Sequence, residues 1–377
     1  MMRSLFNLPE DITYLNNAYM APQLKSISEV GQKHVFQKEK PFTISPVDFF
    51  TGIDKLKGLF AQLIDLDNPQ GVAIAPSASY ALANAANNIP IEKGDEILLM
   101  EEQFPSNVYC WMERAKRVGA VIKFIGKPEE GDKDWTDAVL EQINEKTKVV
   151  AMGHVHWADG YLFELKKIRK ALDVYDAYLV IDGTQSVGAL EFSVKDIRPD
   201  VLVVSAYKWL LGPYGICLSY FSPRLHEGDP IEYSWMNRKD AEDFSNLVSY
   251  QDKYREAANR YCMGQSSSFI YVGMLIEGLQ HLLTWGTNRI QKHGLTLQEE
   301  ARSLLQNENL NLSATGKTGA HLWSVKISEK INLSEMAARL KSENIFLSLR
   351  GNYARISCHL YNDSKDIIRL TDALNKL

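Results

Sequence analysis

Val180-Ile-Asp-Gly-Thr-Gln-Ser-Val-Gly-Ala189 and, shortly after it, Val201-Leu-Val-Val-Ser-Ala-Tyr-Lys-Trp-Leu-Leu-Gly-Pro-Tyr-Gly215 decide how this chain folds. Each half is a short β-branched apolar run that stops abruptly at polar residues. A strand buried on both faces of a parallel sheet has this pattern, and it delivers side chains at the carboxyl edge of the sheet. The first run delivers Asp182 and Gln185, and the second delivers Ser205, Tyr207 and Lys208.

Further strand-like runs lie at Gly71 to Ala75, Glu96 to Met100, Val121 to Ile125 and Val149 to His154, with helical patterns between them. Together with Tyr178 to Asp182 and Val201 to Ser205 they predict an α/β fold whose mostly parallel sheet is covered by helices on both faces. Gly215 to Tyr220 follows Lys208 too closely for a helical crossover, so it should be an antiparallel neighbour. Pro223 to Cys262 is polar, aromatic and irregular, which suits loops that wrap a partner or line an entrance. An apolar helical pattern from Ser268 to His293 predicts one long connecting helix. Beyond it, strands at Ala320 to Ile327 and Tyr353 to Ser357 flank a helix at Leu333 to Glu343. The expected division is a large domain over residues 21–276 and a small α+β domain made of residues 1–20 and 277–377. A length of 377 residues favours two domains over one.

Formal net charge is -5, with no block of like charge, so neither nucleic acid nor an anionic membrane is expected as a partner. A small metabolite is the better expectation. The first residues lack the apolar stretch of a secretory signal and no apolar run could span a bilayer, so a cytoplasmic protein is expected. Cys110, Cys217, Cys262 and Cys358 are far apart and form no CxxC pair, which indicates neither a disulfide framework nor a zinc site. The first three are read as packing residues.

Lys208 could be an ordinary solvated charge at a strand end. Trp209, Leu210 and Leu211 instead surround it with apolar bulk, which desolvates an ammonium and lowers its pKa toward the range of a nucleophile and base. Asp182 could cap a following helix, and Gln185 could be a plain surface amide. A lysine and a carboxylate at adjacent strand ends also meet the needs of pyridoxal 5'-phosphate (PLP): an amine for the Schiff base and an anion facing the pyridinium nitrogen. Ser77, Ala78 and Ser79 begin a helix after an apolar strand. They make either a simple N-cap or an anion pocket for the cofactor phosphate. Phe104, beside Pro105 at another strand end, packs locally or stacks on a bound ring. No GxGxxG is present, which argues against a dinucleotide.

These residues resemble the class V aminotransferase family of fold-type I PLP enzymes, in the branch of cysteine desulfurases, selenocysteine lyases and isopenicillin N epimerase-like proteins. The resemblance runs from Tyr14-Leu-Asn-Asn-Ala to Arg355-Ile-Ser-Cys-His-Leu-Tyr-Asn and is most specific at Asp182, Gln185, Ser205, Tyr207, Lys208 and Gly212-Pro-Tyr-Gly. It implies a mostly parallel seven-stranded sheet and PLP as cofactor. Lys208 is then the Schiff-base lysine, Asp182 faces the ring nitrogen and Gln185 the phenolic oxygen. Ser205 and Tyr207 join the Ser77 loop on the phosphate. Gly264-Gln-Ser-Ser, with Gln265 and Ser266, resembles the segment that reaches the partner's phosphate site in a homodimer. Arg355 falls where the family holds the substrate α-carboxylate. Arg350, Asn17 and Trp157 are further candidate substrate contacts, with a surface salt bridge the alternative for Arg350.

The chain also departs from that pattern. Desulfurases carry a nucleophilic cysteine on a long loop, whereas Arg350-Gly-Asn-Tyr-Ala-Arg355 leaves only a short turn. Cys358 lies beyond it with His359 expected on the opposite face. Phe104 stands where many members stack a histidine, so proton transfer would fall to Lys208. His154 and His156 could touch cofactor or substrate, be packed, or bind a metal; no acidic ligand groups with them, so no metal is expected. The expected function is an enzyme acting at the Cα of an amino acid, with transamination foremost. Epimerisation, β-elimination of the desulfurase type and a non-catalytic PLP-binding module are the alternatives.

Overall fold

Seven strands form the central sheet in the computed structural model, which describes residues 2–128 and 133–377. In spatial order they are Val72–Ala75, Cys217–Phe221, Val201–Ser205, Tyr178–Asp182, Thr147–Gly153, Glu96–Met100 and Val121–Ile125. Cys217–Phe221 runs antiparallel to both of its neighbours, and all other pairings are parallel. The interior strands are apolar along nearly their whole length because helices cover both faces. Val180, Ile181, Val201, Leu202, Val203 and Val204 are all fully buried. At the edge, Val121–Ile125 is only partly covered, with Val121 and Phe124 exposed.

The fold type I assignment is correct, and the early antiparallel strand falls where its short connection required. One element differs from expectation. The apolar pattern from Ser268 to His293 is two helices, Phe269–Trp285 and Thr287–Leu304, separated at Gly286. Gly286 adopts φ 74°, which a helix cannot accommodate and glycine reaches at little cost. The apolar content continues across the break, so periodicity alone could not locate it. Residues 223 to 262 contain only short 3-10 turns, in line with the irregular reading.

A second apolar cluster lies around the antiparallel sheet of Leu310–Leu312, Leu322–Ile327, Ser348–Arg350 and Tyr353–Ser357. Leu15 belongs to this cluster, and the N-terminal Thr13–Tyr14 pairs in parallel with Ile345–Phe346. The next bridge, Asn16 to Ser357, ties the same arm to the strand that carries Arg355. No described helix is long and apolar enough to cross a membrane.

Candidate functional site

The carboxyl ends of the central strands converge on one cleft, where open α/β sheets place their ligands. Its lining includes Phe104, His156, Trp157, Asp182, Gln185, Ser205, Tyr207 and Lys208. Gln103, Asn107 and Thr184 also line it, and sequence reading missed all three. Thr184 was visible inside the decisive segment. Its hydroxyl accepts from the Ser205 N–H at 3.1 Å, so it joins the two strand ends that carry the chemistry. Asn107 breaks helical geometry at the start of Ser106–Val118, a local feature that composition does not signal.

Lys208 follows its strand through a tight turn. The Leu211 N–H donates to the Lys208 carbonyl, and the Gly212 N–H to Ala206. A Cβ on Gly212 would sit 2.6 Å from the end of the Leu275 side chain and 3.0 Å from the Ala206 Cβ, so glycine lets the turn close without displacing either. The Lys208 side chain is buried, with Nζ 5.4 Å from the Phe104 ring center and 5.3 Å from that of Tyr207. Desolvation is the main influence on its amine. Arg355 and Arg350 add to it, Asp182 opposes it, and the pKa falls to about 8. A solvated strand-end charge is therefore not what Lys208 is.

Asp182 does not cap a helix. Its Oδ1 accepts the Thr184 N–H at 3.0 Å within a turn, and the next helix starts only at Val194. Gln185 is not a surface amide either, being 5% exposed. Its Oε1 accepts from Trp209 Nε1 at 2.9 Å, and its Nε2 donates to the Ala18 carbonyl at 3.0 Å, leaving a second amide hydrogen. The Gln185 carbonyl accepts from His321 Nε2 at 2.7 Å, so a residue of the C-terminal sheet region braces this turn.

Ser77 caps the helix Ala78–Asn88, accepting from the Tyr80 N–H, while Ser79 donates to Ser106. The Ala78 and Ser79 amides are in the first helical turn, where no intrahelical acceptor exists. Ala78 lines the cleft. Phe104 is half-exposed and meets the Trp157 ring edge-on at 5.5 Å. Trp157 is fixed by its indole N–H, which donates to the Glu102 carbonyl at 2.6 Å.

Arg355 lies against Trp157 rather than in the cleft lining. It is 1% exposed and donates to the Trp157 carbonyl at 2.6 Å and to Ser348 Oγ at 3.3 Å. Burial, then the charge of Arg350, lowers its pKa to about 9, and no ion pair with a described carboxylate relieves it. Arg350 packs its guanidinium 5.4 Å from the Trp157 ring and lines an adjoining chamber. Among the described residues it forms no salt bridge, so the surface-pair alternative is not borne out. Asn17 is fully buried outside the cleft lining, with its Oδ1 accepting from Tyr361 and its Nδ2 unpartnered. Gln265 and Ser266 do not line their own chain's cleft; Gln265 is exposed at φ 58°.

His154 turns away from the cleft. It packs edge-on against Phe192 at 5.6 Å, and burial lowers its pKa to about 3. The two histidines therefore point apart, and the described residues include no cluster of metal-ligating side chains. Cys358 is 1% exposed within the second apolar cluster, and burial pushes its thiol well above the usual range. His359 faces the other way, among Trp209, Trp285 and Tyr361. Cys217 and Cys262 are buried and Cys110 partly so; all four cysteines are unpaired.

Comparison with known proteins agrees with this geometry. The family model described as aminotransferase class V matches residues 46–370. The uncharacterized aminotransferase YcbU of Bacillus subtilis is 27% identical over 322 residues, covering 84% of this chain and 81% of the relative. A probable cysteine desulfurase of Staphylococcus epidermidis is 26% identical over 314 residues, covering 78% of this chain and 73% of the relative. Among solved structures, a mutant of C-DES with glycine covalently linked to its PLP cofactor aligns with a TM-score of 0.87 at 20% identity, covering 99% of this chain and 98% of the other. The matched span takes in the decisive strand ends and the cleft they form, and the chain belongs to the class V aminotransferase family of PLP-dependent enzymes.

Proposed function

We propose that this protein is an enzyme that uses PLP to act at the Cα of an amino acid, with transamination as its reaction. The observation that carries this reading is a desolvated lysine and a carboxylate at adjoining strand ends beside a buried arginine with no acidic partner. The donor set suits the cofactor: an amine, an anion for the ring nitrogen, an aromatic face at Phe104, and free amides with hydroxyls for a phosphate. Removing a charge from water costs several kcal/mol unless it is paired. Arg355 thus fits the α-carboxylate of a substrate as its missing partner.

When bound, the cofactor acidifies the substrate Cα hydrogen by withdrawing electrons. Lys208 holds the cofactor carbonyl, and its lowered pKa brings the free amine into use at mildly basic pH, where it accepts that hydrogen as a proton. Asp182 keeps the ring nitrogen protonated. Gln185 offers its remaining amide hydrogen to the phenolic oxygen. Ser77, Ser205 and Tyr207, with the first amides of Ala78–Asn88 including that of Ser79, bind the phosphate. Arg355 orients the substrate by its carboxylate.

β-Elimination is the second reading, supported by the probable cysteine desulfurases among the relatives. It would proceed without a persulfide on Cys358, whose buried thiol lacks both access and a base. A homodimer is also proposed, because Gln265 is exposed and lies outside its own chain's cleft, while Ser266 beside it is buried; light scattering tests it. Four unpaired cysteines support a cytoplasmic setting.

The deciding experiment assays an amino-acid panel. Transamination releases a 2-oxo acid only when an acceptor 2-oxo acid is supplied, and no net ammonia; elimination releases ammonia without an acceptor. The purified protein should show a visible cofactor absorbance that Lys208→Ala removes. If neither protein absorbs there, or amino acids leave the spectrum unchanged, the reading is wrong.

A further inference from the structure

His156 is held by the protein on one side only. Its Nδ1 bonds to Asp159 Oδ1 at 3.0 Å, and the same carboxylate accepts the Tyr161 N–H at 3.0 Å and pairs with Lys127. Burial pushes the Asp159 carboxyl up, yet His156 and the Lys127 ammonium outweigh it and hold the group well below the usual carboxylate range. A carboxylate only accepts, so Nδ1 carries a hydrogen and the ring has one orientation. Trp135 packs on the ring with centers 4.8 Å apart. The opposite nitrogen, Nε2, is sealed from solvent and has no hydrogen-bond partner. An unpaired buried polar atom costs about 1–3 kcal/mol, so a fixed ring with an empty far nitrogen on the cleft wall leaves a place for a partner that is not part of the protein.

The position of His156 says what that partner is. Together with Gln103 and Trp157, it belongs both to the cleft wall at Lys208 and to the wall of an adjoining chamber. The chamber is the wider and more open of the two spaces. A substrate that places its amino group at Lys208 and its side chain in the chamber must pass His156.

We propose that His156, oriented by Asp159, is a specificity-determining residue that hydrogen-bonds a hydroxyl or carboxamide on the substrate side chain. The inference rests on the PLP reading above and deepens it. Nε2 accepts in the neutral ring and donates in the protonated one. Hydroxyl and carboxamide groups do both, so they satisfy it in either state. An apolar side chain leaves it orphaned. A carboxylate satisfies only the protonated ring, and the chamber wall carries both signs of charge, Glu101 and Glu102 with Lys127 and Arg350, so it is the histidine that distinguishes the anion from a neutral polar group.

The test compares near-isosteric amino acids: threonine with valine, asparagine with leucine, and glutamine with methionine, with aspartate as the anionic control. The wild-type protein should favour the polar member of at least one pair by about tenfold or more in kcat/KM, as sites built around a hydrogen bond do. His156→Phe should abolish that preference, mainly through KM and the apparent Kd read from substrate-induced spectral change, while retaining the visible cofactor absorbance. His156→Gln, which keeps a hydrogen-bonding group, should retain part of the preference. Asp159→Asn should weaken it by freeing the ring. Should His156→Phe fail to fold, the Gln and Asn variants carry the comparison. A wild type without polar preference, one that prefers aspartate, or variants that keep the wild-type ratio overturn the proposal. Absence of cofactor absorbance in the wild type refutes the PLP reading instead.

Discussion

Lys208→Met in the cofactor-free protein should change stability in a pH-dependent way. The Lys208 amine has a pKa of about 8 in the folded protein against 10.5 for a free lysine. Where both folded and unfolded chains are protonated, at pH 7 and below, burying this ammonium costs stability. As pH rises through 8 the folded protein loses its proton before the unfolded chain does, so the unfolded state binds more protons and stability increases until about pH 10.5. At 1.36 kcal/mol per pKa unit, the relief between pH 7 and pH 10 is about 2.5 kcal/mol. Methionine has similar length and no charge, so it removes the cost at every pH. Urea unfolding of both proteins at matched pH cancels the titrations they share. The variant should be the more stable at pH 7, and its advantage should shrink by about 2 to 3 kcal/mol on going to pH 10. A difference that stays constant over this range, or one that grows, would falsify the desolvated-amine account of Lys208.

Three other outcomes follow from the geometry. Asp182→Asn should lower kcat by about 10²–10³-fold with little change in KM, since it removes charge stabilisation needed only as the reaction proceeds; steady-state kinetics that stay within tenfold of wild type would refute its role. Arg355→Gln should raise KM and lower kcat/KM by at least about 100-fold, the scale expected when one partner of a buried charge pair is lost. Comparing amino acids with the corresponding amines identifies the cause, because only the carboxylate-bearing substrates should suffer. Gly188→Ala should destabilise the fold by more than about 1 kcal/mol in urea, because φ is 98° and the added Cβ would lie 2.3 Å from the Trp209 carbonyl. It should also weaken cofactor retention, since Trp209 adjoins Lys208.

The strands were legible because a buried parallel strand has to be apolar on both faces, and a chemical residue can then appear only at its end. Asp182, Ser205 and Lys208 were readable for that reason, and so was the antiparallel Cys217–Phe221, whose connection is too short for a crossover. The break at Gly286 was not legible, since both helices keep an apolar face through it. The roles of Gln185 and Asp182 were ambiguous because an amide or a carboxylate after a strand serves a surface, a cap or a site equally well. Burial and partners remove the helix cap for Asp182 and the surface amide for Gln185.

The sequence by itself determined the layer architecture, since apolar period is a local property of the chain, and it pointed to the cofactor through the strand-end residues and the family they resemble. Only the tertiary structure decided which histidine faces the cleft. His154 and His156 are two residues apart just past a strand, and packing sent one against Phe192 and paired the other with Asp159. It also decided that Arg355 is buried without a counter-charge and that Cys358 is sealed in an apolar cluster. Those facts depend on contacts between segments distant along the chain, where desolvation and pairing are set by neighbours that no local pattern names.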